Sequence, residues 1–306
     1  MATHTCNEIC SFCHNEGADN YLNTPIDIGE TVSFARKAKE EFGLSVVHLT
    51  GGEPTLHPRI VYLVDAIKKA ELNIQMTTNG DSNPDLMNNI ISAGVGSINF
   101  SLHAITVEDF RKTQSFGGLS ENHDYYVFLM KRKISNIEMA KKLVHIKLNT
   151  VVINDQITGR VIDFALERGI PLRLMRNFND VEKSDRIINK LFFEKGLCAV
   201  KEQEAIGDSG GSGTVFEFAD RRSQKPDVKV KKFGDVYLDS ICNGCPLKHT
   251  PRCKEKFYGL RMGVNSETLK NEVMLCISRN DKEVIIDPQE VFQGKHLEAL
   301  KHNYGR

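Results

Sequence analysis

The sequence predicts an α/β protein whose main body is a partial (β/α)6 barrel of the TIM-like kind. Strand-like and helix-like segments alternate about every 25 residues, the rhythm of parallel βαβ units. Five such strands and a short leading one fall short of a closed eightfold barrel. The unusual glycine-bearing and polar stretches all follow strands, the end at which barrels of this kind carry their chemistry.

Only Met1 to Thr5 precede the first cysteine group, so the leading strand is either vestigial or the sequence begins inside a longer natural chain. Residues 28–42 are expected as a helix: Asp27 caps it, Glu30 follows three residues on, and Gly43 stops it. Residues 45–49 form a buried strand ending in Thr50-Gly51-Gly52-Glu53-Pro54. A helix over 59–71 and a strand over 73–77 lead to Thr78-Asn79-Gly80. A third helix over 84–93 precedes the strand 97–102. The stretch 103–134 is expected to be loop-rich, with Gly117 and Gly118 at its middle, and 137–143 to be helical. The strand 144–152, the helix 161–168 closed by Gly169 and the strand 172–175 complete the pattern. A charged helical region over 180–204 carries Cys198, expected as a plain buried or half-buried thiol. The glycine-rich run from Gly207 to Gly213 marks a domain boundary, giving a barrel domain over 1–204 and a second domain over 205–306. Strands over 214–219 and 228–238 are expected to pair as a hairpin.

Formal net charge is zero, so no general attraction to nucleic acid or to an anionic membrane is expected. No run of about 18 apolar residues and no signal-peptide pattern is present, which makes a soluble cytoplasmic protein the expectation. Eight cysteines in such a chain argue for metal rather than disulfides. They are grouped: Cys6, Cys10 and Cys13; Cys198 alone; then Cys242, Cys245, Cys253 and Cys276.

The first group is the one around which the chain is organised. Spacings of three and two residues let a tight loop turn three thiolates to one centre, and iron–sulfur clusters are held by such thiolates. A [4Fe–4S] cube has four irons, so three ligands leave one iron open to a group that is not protein. The alternative is a zinc site from Cys6, Cys10, Cys13 and His14. Adjacent Cys13 and His14 would struggle to bind one ion tetrahedrally.

With Phe12 before the last cysteine, this C-x3-C-x2-C run resembles the signature of the radical S-adenosylmethionine enzymes. The resemblance implies a [4Fe–4S] cluster on Cys6, Cys10 and Cys13 whose open iron chelates S-adenosylmethionine. Reductive cleavage would then release a 5′-deoxyadenosyl radical that abstracts hydrogen from substrate. Gly51-Gly52-Glu53-Pro54 resembles the second hallmark of that family, whose exposed backbone, at Gly52 especially, meets the cofactor's amino group. Glycine suits such a close approach.

The resemblance narrows to the GTP 3′,8-cyclase family of molybdenum-cofactor biosynthesis. Cys6-Asn7, Glu16-Gly17, Leu49 to Thr55, Met76 to Gly80, Asn99 to Leu102, Lys147 to Val152 and Leu172-Arg173 follow in that family's order, over about residues 5–178. By motif, Phe12, Gly52 and Ser101, with Gly51, Glu53, Pro54 and Asn79 beside them, would contact S-adenosylmethionine. Thr78 and Lys147 fall where the family touches its nucleotide, and Arg261 where it places a substrate-contacting arginine. Several positions depart. His48 replaces an arginine, Arg176 replaces an acidic residue, and His103 stands where the family has aspartate. Tyr304-Gly305-Arg306 stands where the family ends in a Gly-Gly tail. These departures point away from GTP itself.

Cys242-x2-Cys245 and Cys276 match the family's three auxiliary-cluster ligands in order, and Cys253 is additional. This half resembles the SPASM or twitch type of domain. Four ligands would complete a second [4Fe–4S] cluster, making it an electron relay or structural element rather than a substrate anchor. A structural four-cysteine zinc site is the alternative. The expected function is radical cyclisation or rearrangement of a small molecule such as a nucleotide or sugar, with flavodoxin or ferredoxin as the reducing partner. Radical modification of a ribosomally made peptide is the second reading. A metal-stapled binding module without radical chemistry is the third.

Overall fold

The computed structural model describes the chain apart from residues 14–24, 116–121, 207–211, 221–225, 232–236, 251, 254–258, 266–267, 280 and 306. After the short strand β1 (Ile9–Cys10), α1 (Ile28–Phe42) begins where the Asp27 side chain accepts from Glu30 N. It ends at Gly43, whose φ of 71° is one that glycine adopts without strain. There follow β2 (Val46–Leu49), α2 (Ile60–Lys69), β3 (Asn73–Thr78), α3 (Pro84–Ala93) and β4 (Ser97–Ser101). The next elements are α4 (Val107–Thr113), β5 (Gln114–Ser115), α5 (His123–Lys141), β6 (His145–Val152), α6 (Asp155–Arg168), β7 (Leu172–Arg176) and α7 (Val181–Lys195).

The stretch expected to be loop-rich is therefore largely helical, and this corrects the sequence reading. Thr106 caps α4 by accepting from Asp109 N, and Asn122 caps α5 by accepting from Tyr125 N. The two helices bury Phe110, Tyr126, Leu129 and Met130 with Ala104 and Ile157 in a small core of their own. Gly117 and Gly118 lie outside the described residues. The sixth helix also starts earlier than expected, because Asn154 accepts from both Gln156 N and Ile157 N. The charged region over 180–204 divides into α7 and a strand, and half-buried Cys198 lies on that strand.

That strand is β8 (Leu197–Ile206), followed by β9 (Ser212–Asp220) and β10 (Pro226–Lys231). The main sheet has eight strands in the order β2-β3-β4-β6-β7-β10-β9-β8. Strands β2, β3, β4, β6, β7 and β10 pair in parallel. Strands β10, β9 and β8 pair antiparallel. The sixth parallel strand thus comes from the hairpin after α7 and not from the leading segment. That segment contributes one parallel bridge, Thr3 to Gly51, with Ala2 N donating to Thr50 O at 2.7 Å. The glycine-rich run at 207–211 lies outside the described residues, and the expected division at 204/205 falls inside β8.

The core lies between the sheet and its helices. Met76, Ile98, Leu148 and Leu174 point outward from four successive strands and are wholly buried against Leu63, Ile67, Ile90 and Val161. Burying side chains of this kind contributes roughly 1.5–3 kcal/mol each. Their strand neighbours, two apart along the other face, look into the barrel. A three-stranded antiparallel sheet follows, of β11 (Arg261–Val264), β12 (Asn271–Met274) and β13 (Ile285–Ile286). It follows a one-turn helix, α8 (Asp239–Cys242), and precedes α9 (Gly294–Asn303). His4 Nε2 donates to Val264 O at 3.0 Å, and Phe292 packs on Phe34 and Phe42 of α1, so this sheet is joined to the barrel. Among the described residues no helix is long and apolar enough to cross a membrane.

Candidate active site

The cysteine loop sits at the C-terminal mouth of the barrel because its backbone is tied there on two sides. Gly52 N donates to Thr3 O at 2.9 Å and Glu53 N to Thr5 O at 2.8 Å, which fixes the approach to Cys6. On the other side Cys10 lies in register with Gln114 in the β1–β5 pair, and Ser11 N donates to Thr113 O at 3.2 Å. The side chains between the first two cysteines are also held. Asn7 donates to Asp81 at 2.7 Å and accepts from Asn79 at 2.8 Å. Glu8 is enclosed with Lys133, and Glu8 N donates to Cys6 Sγ at 3.5 Å. Burial pushes the Glu8 carboxyl up, and the Lys133 ammonium opposes that shift.

The three thiols lie within electrostatic reach of one another. Burial pushes Cys6 up to about 11 and Cys10 higher still, and each feels Cys13. Buried thiols of this kind give up their protons to an electropositive group rather than to water, since the metal ligand is the thiolate. The donor set and its mutual closeness therefore fit a cluster held by Cys6, Cys10 and Cys13. His14 lies outside the described residues.

A cavity of ≈ 340 Å³ opens beside this loop inside the barrel. Phe12, His48, Thr77, Ser101, Asn149 and Arg173 line it, as do Arg176, Lys231 and Arg261. Strand register explains the company: Thr77 stands opposite Asn99, Ser101 opposite Asn149, and Asn149 opposite Arg173. Asn149 Oδ1 is a buried acceptor with no hydrogen-bond partner among the described residues.

His48 is the neutral member of this wall. Burial, with Lys147, Arg173 and Lys231 nearby, pushes it down to about 3. Its Nε2 lies 2.7 Å from Thr77 Oγ1, and Asn99 Nδ2 donates to that oxygen at 3.1 Å. The Thr77 hydroxyl can accept from Asn99 together with a protonated Nε2 or donate to a bare one, so the ring tautomer fixes which of the pair donates. Burial beside Arg173 and Lys229 also pulls Lys147 down to about 8. His103, pushed down to about 3 by burial, accepts from Val151 N at 3.1 Å. Its ring braces Phe12 edge-on with centroids 4.4 Å apart.

The sequence-predicted contact residues fall into two sets, with half-buried Lys147, opposite Asn99, in neither the cavity lining nor the framework. Phe12, His48, Ser101 and Arg261 face the cavity together. Gly51, Gly52, Glu53, Pro54, Asn79 and Thr78 form the framework beside it. The Glu53 carboxylate accepts from Thr55 N and Oγ1 (3.0 and 2.7 Å), Thr78 Oγ1 (2.7 Å) and Asn79 N (2.6 Å). Burial pushes that carboxyl up, and these donors oppose it. Thr78 is turned to Glu53 and away from the cavity, which its neighbour Thr77 lines instead. The sequence reading placed Asn149 and Arg173 at the active end of the barrel without giving them a role, and it missed Thr77 and Lys231 as wall residues. The period-two alternation of each strand, counted from His48 and Ser101, was the available signal.

The other four cysteines gather at the far end of the chain. Cys242, Cys245, Cys253 and Cys276 ring a small cavity of ≈ 20 Å³ with Arg279. Burial pushes Cys242 and Cys276 up, and the neighbouring thiols add to the shift. Arg279 donates to Ile241 O at 3.2 Å and pairs with Asp281 at 2.8 Å. Among the described residues no three Cys, His, Asp or Glu side chains are grouped closely enough for a single metal ion.

A six-stranded parallel barrel with a three-thiol loop at its mouth defines a cluster-dependent barrel enzyme. The Radical SAM superfamily matches residues 2–165, and a full-length relative agrees: the chain belongs to the radical SAM superfamily, in its GTP 3′,8-cyclase-like branch. That relative, the probable GTP 3′,8-cyclase of Saccharolobus solfataricus, is 40% identical over 98% of this chain and 87% of its own. Among solved structures, native anSMEcpe with bound AdoMet superposes at a TM-score of 0.60, with 12% identity, over 98% of this chain and 81% of that one. Streptococcus suis SuiB bound to precursor peptide SuiA gives 0.58 with 13% identity, over 99% and 64%. At these identities the likeness is one of fold. The chain is a radical SAM enzyme, and the family implies a [4Fe–4S] cluster and S-adenosylmethionine.

Proposed function

We propose that this enzyme acts on a phosphate-bearing small molecule such as a nucleotide, and cyclises or rearranges it. One observation carries the reading: among the described residues, every charged side chain lining the cavity is cationic, namely Arg173, Arg176, Lys231 and Arg261. Lys147 and Lys229 add to that field from the same barrel interior. A low-dielectric cavity of one sign concentrates ligands of the other. The name of the Saccharolobus relative favours the same substrate class.

When bound, the cofactors supply one-electron cleavage of S-adenosylmethionine and hydrogen abstraction by the 5′-deoxyadenosyl radical. Cys6, Cys10 and Cys13 hold the cluster, and Phe12, Gly52 and Ser101 shape the S-adenosylmethionine side, with Gly51, Glu53, Pro54 and Asn79 as framework. Lys231, Arg173 and Arg261 take the phosphates, and Lys147 tops up the charge. Arg176 is partly committed to Asp185 at 2.7 Å. The His48 ring and the buried Asn149 Oδ1 offer polar groups to orient base or sugar. Electrons come from a partner such as flavodoxin or ferredoxin. In the C-terminal part, Cys242, Cys245, Cys253 and Cys276 hold a second, fully ligated [4Fe–4S] cluster. The order of Cys242, Cys245 and Cys276, which matches that of the family's auxiliary ligands, supports a cluster over zinc.

The test is binding and turnover with GTP, GMP and guanosine, on anaerobically reconstituted protein with S-adenosylmethionine and dithionite. Affinity is expected to rise with phosphate number, and 5′-deoxyadenosine release to depend on the nucleotide. Lys231→Met should weaken GTP about tenfold, a charged hydrogen bond being worth about 1.5–3 kcal/mol, and leave guanosine unchanged. Equal binding of guanosine and GTP would sink the phosphate reading.

A further inference from the structure

The polar residues between the first two cysteines are both gripped by α5. Arg132 Nε donates to Asp81 Oδ1 at 2.6 Å, and Asp81 in turn accepts from Asn7 at 2.7 Å. The next residue on the helix, Lys133, forms an ion pair with Glu8, and both side chains are 2% exposed. Gln114, itself buried and in register with Cys10, also donates to Glu8. The Lys133 ammonium stands 5.0 Å over the centre of the Phe110 ring. Glu8 lies two residues from Cys6 and two from Cys10, and its own N–H points at Cys6 Sγ.

Stability alone is a weak reason for such a pair. Desolvating two charges costs several kcal/mol per ion, and an apolar pair of the same volume would hold the helix to the loop as well. What an apolar pair would lack is a fixed charge beside the thiolates and a side-chain anchor aiming the Glu8 N–H at sulfur. Cluster potentials respond to net charge, hydrogen bonds to sulfur and burial. Outer contacts of this kind orient and tune metal ligands.

We propose that Glu8 and Lys133 are a positioning pair for the catalytic cluster: they hold the Cys6–Cys10 segment in place and set the charge that the cluster feels. The inference rests on the family assignment of Cys6, Cys10 and Cys13 and is independent of the substrate. Neither side chain touches S-adenosylmethionine or substrate in this role.

The experiment compares wild type, Glu8→Gln, Lys133→Met, the double variant and a surface control, Lys69→Met, all reconstituted anaerobically. The midpoint potential is read on the paramagnetic signal that S-adenosylmethionine perturbs, which separates this cluster from the C-terminal one. Cluster loss to an iron chelator is followed by absorbance. Glu8→Gln should shift the potential upward and Lys133→Met downward, because one removes an anion and the other a cation. Each should speed cluster loss about tenfold or more, in line with outer-contact variants at metal sites. The double variant should lose its cluster no faster than the singles, since the residues act as one unit. General loosening of the fold would move both potentials the same way. Shifts of the same sign, unchanged potentials, or loss rates that multiply would overturn the proposal. If Lys133→Met fails to fold by circular dichroism, the isosteric Glu8→Gln decides alone, an unchanged potential overturning the proposal. Wild-type protein that takes up no iron would instead count against the family assignment.

Discussion

A β-carbon at Gly52 would stand 2.3 Å from the Thr5 carbonyl oxygen and 2.6 Å from that of His4. At Gly51, with φ 140°, it would meet the Thr3 oxygen at 2.3 Å. The two glycines therefore seat residues 3–5, and those residues lead straight into Cys6. Gly52→Ala is expected to cost about 1–3 kcal/mol, as overpacking does, and to lower the iron content by displacing the first ligand. Gly169→Ala serves as the comparison: nothing lies within 4 Å of its β-carbon, and only a left-handed φ of 57° is strained. It should lose stability and keep its iron, as thermal unfolding and iron assay would show. Full iron in Gly52→Ala would remove the seat from the argument. The Gly-Gly-Glu-Pro stretch stood out in the sequence as a strand-end motif. Its service as a seat was not legible, because the groups it receives are distant in sequence and are backbone oxygens.

Among the elements, α5 departs most from what its sequence announces. Its inner face carries Lys133 and Asn136, both wholly buried, among Tyr126, Leu129 and Ile137. Polar residues at core positions erase the apolar stripe by which a helix is read from sequence. The strands fared better, since Val46 to Leu49 is a short, mostly apolar run, Ile146 to Asn149 alternates apolar with polar, and glycine or asparagine follows both strands. Burial of Asn136 has a purpose: its amide donates to Gly80 O and Ser82 O, both at 2.9 Å. That holds the turn after β3, where Asn79 meets Asn7 and Asp81 meets Arg132. Asn136→Ala would strip donors from two enclosed carbonyls, each loss costing about 1–3 kcal/mol. Urea unfolding should show a midpoint lowered by a loss of about 2 kcal/mol or more, with an unchanged slope. A change below about 0.5 kcal/mol, the size of an ordinary surface substitution, would mean that the turn holds itself.

On the scale of the whole molecule, the chain places two cysteine groups at opposite ends of its sequence and joins them through the segment before Cys6. That segment bonds to the stretch just after β2, at Thr50 and Gly51, through Ala2 and Thr3, and to β11 through His4. The β11–β13 sheet in turn leads to Cys276. On the proposed reading the two groups supply three and four ligands to one [4Fe–4S] cluster each, so they carry equal iron, and only the first leaves one iron open to outside ligands. Anaerobically reconstituted protein should carry about eight irons, falling to about four when Cys6, Cys10 and Cys13 are replaced together by alanine. Replacing Cys253 alone should retain the C-terminal irons while opening one to exogenous ligands, visible as a changed paramagnetic signal when imidazole is added. About four irons with one zinc would make the C-terminal thiols a structural zinc site and end the reading of a second cluster there. Zinc without iron would break with the family's chemistry altogether, because zinc has no redox change with which to reduce S-adenosylmethionine.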